Sequence, residues 1–487
     1  MNTTDDTAGH TAGDGRGRGP SRRTVVTAAA ALAVLGTAPR AAAAPRRGTA
    51  PDDTCLRYDA IVVGAGFAGV TAARELAAAG ARTLVLEARN RIGGRTWTGT
   101  FAGRTVEFGG TWVEPTLQPN IARELARYGI PLTEDAPPER TFFPTPDGPR
   151  EYATEEGFGL MGRAYEPVFD GSRTYFERPY EPLYRADLLR DLDQRSLRDR
   201  LDELRLTPAD ELLVTGQTGT LSGGSSAEGA LTALARRWAL AGWSNEGLGR
   251  ADTRRVEHGT HRLLKAILDD GAPELLLGSP VAAVDQDGGT YPGPVRVTTV
   301  SGRVFHAPAV VLAVPANMWR TIAFRPGLPE AHATASAQGL AVSHATKLWI
   351  HARTPAGHCY AQGAEGSPIS LLIPDQLLPD GSRLFVGFSV DPSFDSTDRA
   401  AVRRAVRLLG PELEIIDVRV QNWGTDPYAR GGWTFLKPGQ LTTLHPSLGR
   451  PHGRIAFAGS DIADGWSGYI DGAIESGLRA AGQALSF

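Results

Sequence analysis

The most constraining stretch of this chain runs Asp59-Ala60-Ile61-Val62-Val63, then Gly64-Ala65-Gly66-Phe67-Ala68-Gly69, then the helix-compatible residues Val70 to Ala79 before Gly80. It reads as strand, glycine turn and helix. A second β-rich run, Thr83-Leu84-Val85-Leu86, ends at Glu87, 18 positions after Gly69. Glycines in such a turn let the backbone approach a pyrophosphate at a helix N-terminus, and a carboxylate closing the second strand accepts hydrogen bonds from a ribose diol. All four parts fall in register. The chain is therefore expected to bind a dinucleotide through Gly64, Gly66, Ala68, Gly69 and Glu87 on an α/β scaffold.

The residues after Glu87 select the dinucleotide. Directly behind it come Ala88-Arg89-Asn90-Arg91-Ile92-Gly93-Gly94-Arg95-Thr96-Trp97, and then Val106-Glu107-Phe108-Gly109-Gly110-Thr111-Trp112-Val113. Near the C-terminus, Arg454 to Gly459 reads as a buried strand, and Ser460-Asp461 and Trp466-Ser467-Gly468-Tyr469 lead into a helix. Its apolar positions Ile470, Ile474, Leu478, Ala481 and Leu485 keep helical spacing.

On these motifs the chain resembles the flavin-containing amine oxidase family, which includes monoamine, polyamine and L-amino-acid oxidases and the nicotine oxidoreductases. The resemblance runs from about Tyr58 to the C-terminus and is strongest at its two ends. It implies FAD rather than NAD. By the same resemblance, Arg89, Gly94, Arg95, Gly110, Thr111, Val281 and Gly459 belong to the cofactor site. Asp461 is expected on the ribityl chain, and the helix N-terminus at Tyr469 and Ile470 against the flavin's pyrimidine ring, where its dipole stabilises negative charge.

The implied fold class is α/β: a Rossmann-like FAD-binding domain built from separated chain segments, 56-130, 255-314 and 425-487. An α+β substrate-binding domain, 131-254 and 315-424, is interleaved with it. Inside the second segment a helix is expected at Arg262 to Leu268. Strands follow at Glu274 to Leu277, Val281 to Val284, Val295 to Val300, Arg303 to His306 and Ala309 to Val314, forming a β-meander and a returning strand. The family usually has a glycine pair where this chain has His258-Gly259. Tyr184 to Leu206 alternates leucines with charged residues and reads as an amphipathic surface helix or helix pair. Pro137-Pro138 and Pro144 to Pro149 read as loops.

Only three of the 51 cations are lysine, namely Lys265, Lys347 and Lys437. A lysine kept in so arginine-rich a chain calls for what arginine lacks, a mobile point charge whose pKa shifts on burial. Lys347 follows a polar stretch and leads an alternating strand, so Leu348 and Ile350 are expected on the face opposite to it. In the family a lysine at this place holds a water against flavin N5, which makes Lys347 the expected catalytic residue. Trp433 and Tyr469 match the places that frame the substrate amine, with Trp112 also expected at the substrate. The sequence departs from the family at two points: Trp433 stands where animal monoamine oxidases attach FAD through cysteine, so FAD is expected to be non-covalent, and Thr434 replaces a cage tyrosine.

The implied activity is hydride transfer from the carbon of a primary or secondary amine to flavin N5. The imine then hydrolyses, and electrons pass to O2, giving H2O2, or to an electron-accepting protein. An L-amino-acid oxidase remains open, although Thr111-Trp112-Val113 offers no arginine to clamp a carboxylate. A flavin-dependent desaturase or isomerase of a non-amine metabolite is also open.

Fifty-one cations against 54 anions leave no global field for nucleic acid or anionic lipid. Ser21-Arg22-Arg23-Thr24-Val25-Val26 and the apolar run to Ala38 have the form of a twin-arginine export signal, with residues 1-48 as leader. That run is too short to span a bilayer, so a secreted or extracytoplasmic protein without membrane insertion is expected. Cys55 and Cys359 allow one disulfide or two free thiols. His258 and His261 have no recognisable third ligand, so no metal is expected. Assembly as a homodimer is left open.

Overall fold

The computed structural model describes residues 58–286 and 294–487, so the expected export signal and Cys55 lie outside the described residues. Five strands form a parallel sheet, ordered Ile455–Phe457, Ala309–Leu312, Ala60–Val63, Thr83–Leu86 and Glu274–Leu276. Three stretches of chain contribute to it. Ala60–Val63, Thr83–Leu86 and Ala309–Leu312 are buried along their whole length, which is why they read as nearly unbroken apolar runs rather than as alternation. Helix Phe67–Ala78 packs against Thr260–Gly271 and Ile470–Leu485. The result is α/β, a parallel sheet with helices assembled from separated segments, as expected.

Val281–Asp285, Val295–Thr299 and Val304–Ala307 form the expected meander. The structure adds a fourth strand, Ala323–Arg325, which runs parallel to Val281–Asp285. Three residues are too few to show a period in sequence.

A seven-stranded sheet is ordered Glu414–Asn422, Thr346–Arg353, Arg383–Ser389, Leu371–Leu377, Cys359–Gln362, Arg140–Thr145 and Gly148–Ala153. Leu348 and Ile350 join one buried cluster, while Trp349 joins another, so Thr346–Arg353 alternates as read. The proline stretch is not a loop: Arg140–Thr145 and Gly148–Ala153 form a hairpin in which Pro144 faces Pro149. Pairing with Cys359–Gln362 ends at Phe142, so Pro144 lies beyond the ladder that would need its missing N–H.

The leucine-rich segment is a helix pair, Ala186–Leu192 and Leu197–Leu204, broken where Ser196 and Asp199 form a capping box. Leu189, Leu197 and Leu201 are buried. At the site of the family's glycine pair, His258 takes a φ of 65° and Gly259 one of 97°. An exposed histidine thus carries a left-handed backbone there. Among the described residues no group of three metal-ligating side chains is present, and no helix is long and apolar enough to cross a membrane. Cys359 is a buried free thiol.

Candidate active site

The carboxyl ends of four parallel strands open onto one cavity of about 590 Å³, lined by Gly64, Glu87, Val314 and Gly459 among others. This is where an open α/β sheet places its ligand. Gly66 is the N-cap of helix Phe67–Ala78 and no side chain caps that helix, so its first turn lies uncovered on the cavity wall. A Cβ on Gly66 would meet nothing nearer than Gly93 O at 3.8 Å. Glu87 accepts the Ala65 N–H at 2.8 Å on one oxygen and the Arg89 N–H at 2.9 Å on the other. Lone pairs remain for a diol. The uncapped turn, the open glycine pocket and the fixed carboxylate fit the diphosphate and ribose of a dinucleotide.

Of the residues expected at the cofactor, Gly64, Gly66, Ala68, Glu87, Arg89, Gly94, Arg95, Gly110, Thr111, Val281, Gly459, Tyr469 and Ile470 line this cavity. Gly69 and Asp461 do not. A Cβ on Gly69 would stand 1.9 Å from Gly64 O, so this glycine lets the helix close on the turn from behind. Asp461 is buried and pairs with Arg95 at 2.7 Å, accepts the Thr434 hydroxyl at 2.5 Å and the Ala316 N–H at 3.0 Å. It therefore orients Arg95, which also donates to Gly432 O at 2.9 Å and Ser460 Oγ at 3.0 Å. Three distant pieces of chain meet at that guanidinium.

Lys347 lies 3% exposed on the same cavity. Its ammonium donates to Gly109 O at 2.9 Å and Thr111 Oγ1 at 2.6 Å. Trp112, Phe388 and Trp349 surround it, with ring centres 5.3, 5.7 and 5.9 Å from Nζ. Burial pushes its pKa down to about 7 against the opposing pull of Glu107. Such an amine exchanges a proton near neutrality.

Trp433 stands edge to face with Phe388 at 6.0 Å, and Trp112 lies 6.5 Å from the same ring. Indole hydrogen bonds fix both tryptophans, to Leu221 O at 2.9 Å and to Asp135 at 2.8 Å. The wall beside Lys347 is thus Trp112, Phe388 and Trp433. Tyr469 lines the same cavity between Trp466 at 5.0 Å and the Arg237 guanidinium at 5.3 Å, and a Cβ on the preceding Gly468 would stand 3.1 Å from Thr434 N. Both residues expected to frame the substrate thus line the one cavity, without direct ring contact between them. Thr434 turns its hydroxyl to Asp461.

The model of the family described as "Flavin containing amine oxidoreductase" matches residues 67–485. The chain belongs to that family. It is 35% identical over 87% of its length to nicotine dehydrogenase of Pseudomonas putida, covering 87% of that protein. It is 33% identical over 88% of its length to (S)-6-hydroxynicotine oxidase of Paenarthrobacter nicotinovorans, covering 99% of that protein. A solved double mutant of putrescine oxidase shares the fold, with a TM-score of 0.75, 24% identity and coverage of 89% and 100% of the two chains. FAD is the cofactor the family implies, and the chain is an amine-acting oxidoreductase.

Sequence reading missed four residues of this amine oxidoreductase site. Phe388 faces Lys347 across the sheet, paired Cα to Cα; an alternating strand was visible, but its register was not. Arg237 and Asp252 line the cavity and bond at 2.8 Å. Asp252 is ringed by protein yet keeps 41% of its side-chain surface accessible, because it faces the cavity's own space. Burial raises its pKa against the pull of Arg237. The fourth is Glu107, buried two residues before Gly109.

Proposed function

We propose that this chain is an exported FAD-dependent enzyme that oxidises a small primary or secondary amine. FAD, held non-covalently, supplies the hydride acceptor and passes electrons to O2 or to an electron-accepting protein. The observation that carries the reading is Lys347, buried on the cavity wall with its ammonium aimed by Gly109 and Thr111 beside Trp112, Phe388 and Trp433. The aromatic wall attracts an alkylammonium on approach, and its apolar surface favours the neutral amine that gives up hydride. No cysteine or histidine lines the cavity among the described residues, which supports non-covalent binding. Relatives named for nicotine, pseudooxynicotine and 6-hydroxynicotine point to an amine carried on or beside a nitrogen ring.

An amino-acid substrate would need an arginine free to hold its carboxylate, and of the five arginines that line the cavity among the described residues only Arg430 has no carboxylate or carbonyl bound to its side chain. Arg89, Arg95 and Arg237 each already face a carboxylate, and Arg236 donates to Ala463 O and Gly465 O. The test is anaerobic titration of the purified holoenzyme with amines and amino acids while the flavin band is followed. Amines are expected to bleach it; bleaching only by amino acids, or only by a nitrogen-free compound, defeats the reading. Oxygen uptake during turnover separates an oxidase from a dehydrogenase. Export rests on Arg22-Arg23 and the apolar run after them, and replacing both arginines by lysine is expected to leave the precursor in the cytoplasm, as fractionation would read.

A further inference from the structure

Glu107 ends strand Arg104–Glu107 and is 4% exposed. Its Oε1 accepts from Thr98 Oγ1 at 2.7 Å, the Thr260 N–H at 2.7 Å and Thr260 Oγ1 at 3.1 Å. Those donors are all uncharged. Its Oε2 is buried without a hydrogen-bond partner. A carboxylate in that state needs a nearby cation or a proton of its own.

Lys347 presents the complementary problem, a buried ammonium that touches a carbonyl and a hydroxyl but no carboxylate. Strand Thr346–Arg353 lies across the segment that carries Glu107. The Lys347 ammonium holds Gly109 O at 2.9 Å, and two residues on, the Trp349 indole holds Glu107 O at 2.9 Å. The two carbonyls held in this way are two residues apart on one segment, which sets the residue carrying the unpaired carboxylate oxygen beside the strand carrying the unpaired ammonium. Other charged groups acting on Lys347 are Arg255, Asp375 and Asp135. Arg255 binds Asp135 at 2.5 Å and Asp375 at 2.6 Å, so both of these carboxylates already have a cation in contact. Glu107 has none.

We propose that Glu107 is the fixed counter-charge of Lys347, a positioning residue that sets the charge on the cavity-facing ammonium without touching substrate or cofactor. Burial and Glu107 pull in opposite directions on Lys347, as burial and Lys347 do on Glu107. The merely structural role available to Glu107 is to cap helix Thr260–Gly271 through Oε1. Glu107→Gln keeps an acceptor for that cap and removes the charge. The role rests on Lys347 as the residue beside the reaction and holds whatever the substrate is, so failure of the amine titration leaves it standing.

The chain supplies its own references, since Lys265 and Lys437, the other two lysines, are exposed. Trace acetylation of the full holoenzyme with acetic anhydride over a pH series, read by mass spectrometry, reports each lysine's ionisation because only the neutral amine reacts. In Glu107→Gln the midpoint for Lys347 is expected to move to lower pH by about one unit. Lys265 and Lys437 should stay in place, and Glu107→Asp should restore part of the shift. An unmoved Lys347 midpoint overturns the proposal, even where faster labelling at every pH shows a loosened cap. Should Glu107→Gln fail to fold, adding Lys347→Met is expected to rescue it, because neither buried charge then remains. A double variant as unstable as the single one also overturns the proposal.

Discussion

Two glycines of the strand–turn–helix fingerprint, Gly66 and Gly69, should respond in opposite ways to replacement by alanine. At Gly69 the new Cβ falls 1.9 Å from Gly64 O, 3.0 Å from Gly64 C and 3.2 Å from the Ala313 Cβ. The closest obstacle is backbone, which has no rotamer to yield. Ordinary contact begins near 3.4 Å, so the helix or the turn must retreat by 3.4 minus 1.9, about 1.5 Å. The strain is about 3 kcal/mol or more, against which alanine's better helix propensity returns up to about 1 kcal/mol. At roughly 1 °C per kcal/mol for a chain of this size, the apoprotein should melt about 2 °C lower or worse. FAD affinity should fall as well, because the helix N-terminus moves off the cavity wall. Gly66→Ala meets nothing nearer than 3.8 Å in the protein, yet its Cβ lines the cavity. Its apoprotein should lose no more than about 1 kcal/mol, the cost of alanine in place of glycine at this N-cap, while FAD binds about tenfold to hundredfold more weakly through crowding alone. Scanning calorimetry of the apoproteins and equilibrium dialysis with FAD measure the two quantities separately. Equal loss of apoprotein stability in both variants, or a neutral Gly69→Ala, would refute the assignment of packing to one glycine and of ligand clearance to the other.

Lys347→Met should keep bound FAD but slow flavin reduction or reoxidation in stopped-flow half-reactions; unchanged rates would remove Lys347 from the chemistry. The same variant isolates a pH effect on stability. Lys347 falls from its ordinary 10.5 to about 7 on folding, so between those values the unfolded chain holds a proton that the folded one has lost. Stability of the parent relative to Lys347→Met should then rise with pH through that window, by up to about 1.4 kcal/mol per unit, and level off beyond it. Paired urea unfolding curves over a pH series check the sign, and a falling difference would contradict the burial of a depressed amine. Phe388→Ala removes the ring shared by Trp112 and Trp433. It should raise KM for the amine at least about tenfold with FAD content unchanged, and a KM within about twofold of the parent would take Phe388 out of the substrate wall.

The nucleotide half was legible because its determinants are local. Ala60–Val63 and Thr83–Leu86 are buried on both faces and so read as apolar runs, and Gly64, Gly66 and Glu87 sit within one strand, turn, helix and strand. The reaction half was legible only as isolated residues. Trp112, Lys347, Phe388 and Trp433 come from four places in the chain, and what joins them is the register that sets Lys347 opposite Phe388. Moving that pairing by one residue would turn every side chain of one strand to the other face, and nothing in the local pattern of Arg383–Ser389 states the offset. Gly69 and Asp461 show a different limit. Both stand next to cavity-lining residues in sequence, yet the packing of Gly69 on Gly64, too tight for any Cβ, and the pairing of Asp461 with Arg95 place them behind the wall. Adjacency in a motif therefore identifies the segment that builds a site, while contact decides which of its residues meet the ligand and which hold those residues still. Glu107 falls on the same line of division. It precedes Gly109 in a motif whose glycines line the cavity, and its position behind Lys347 follows from Trp349 holding its carbonyl, a contact between residues 242 apart in the chain.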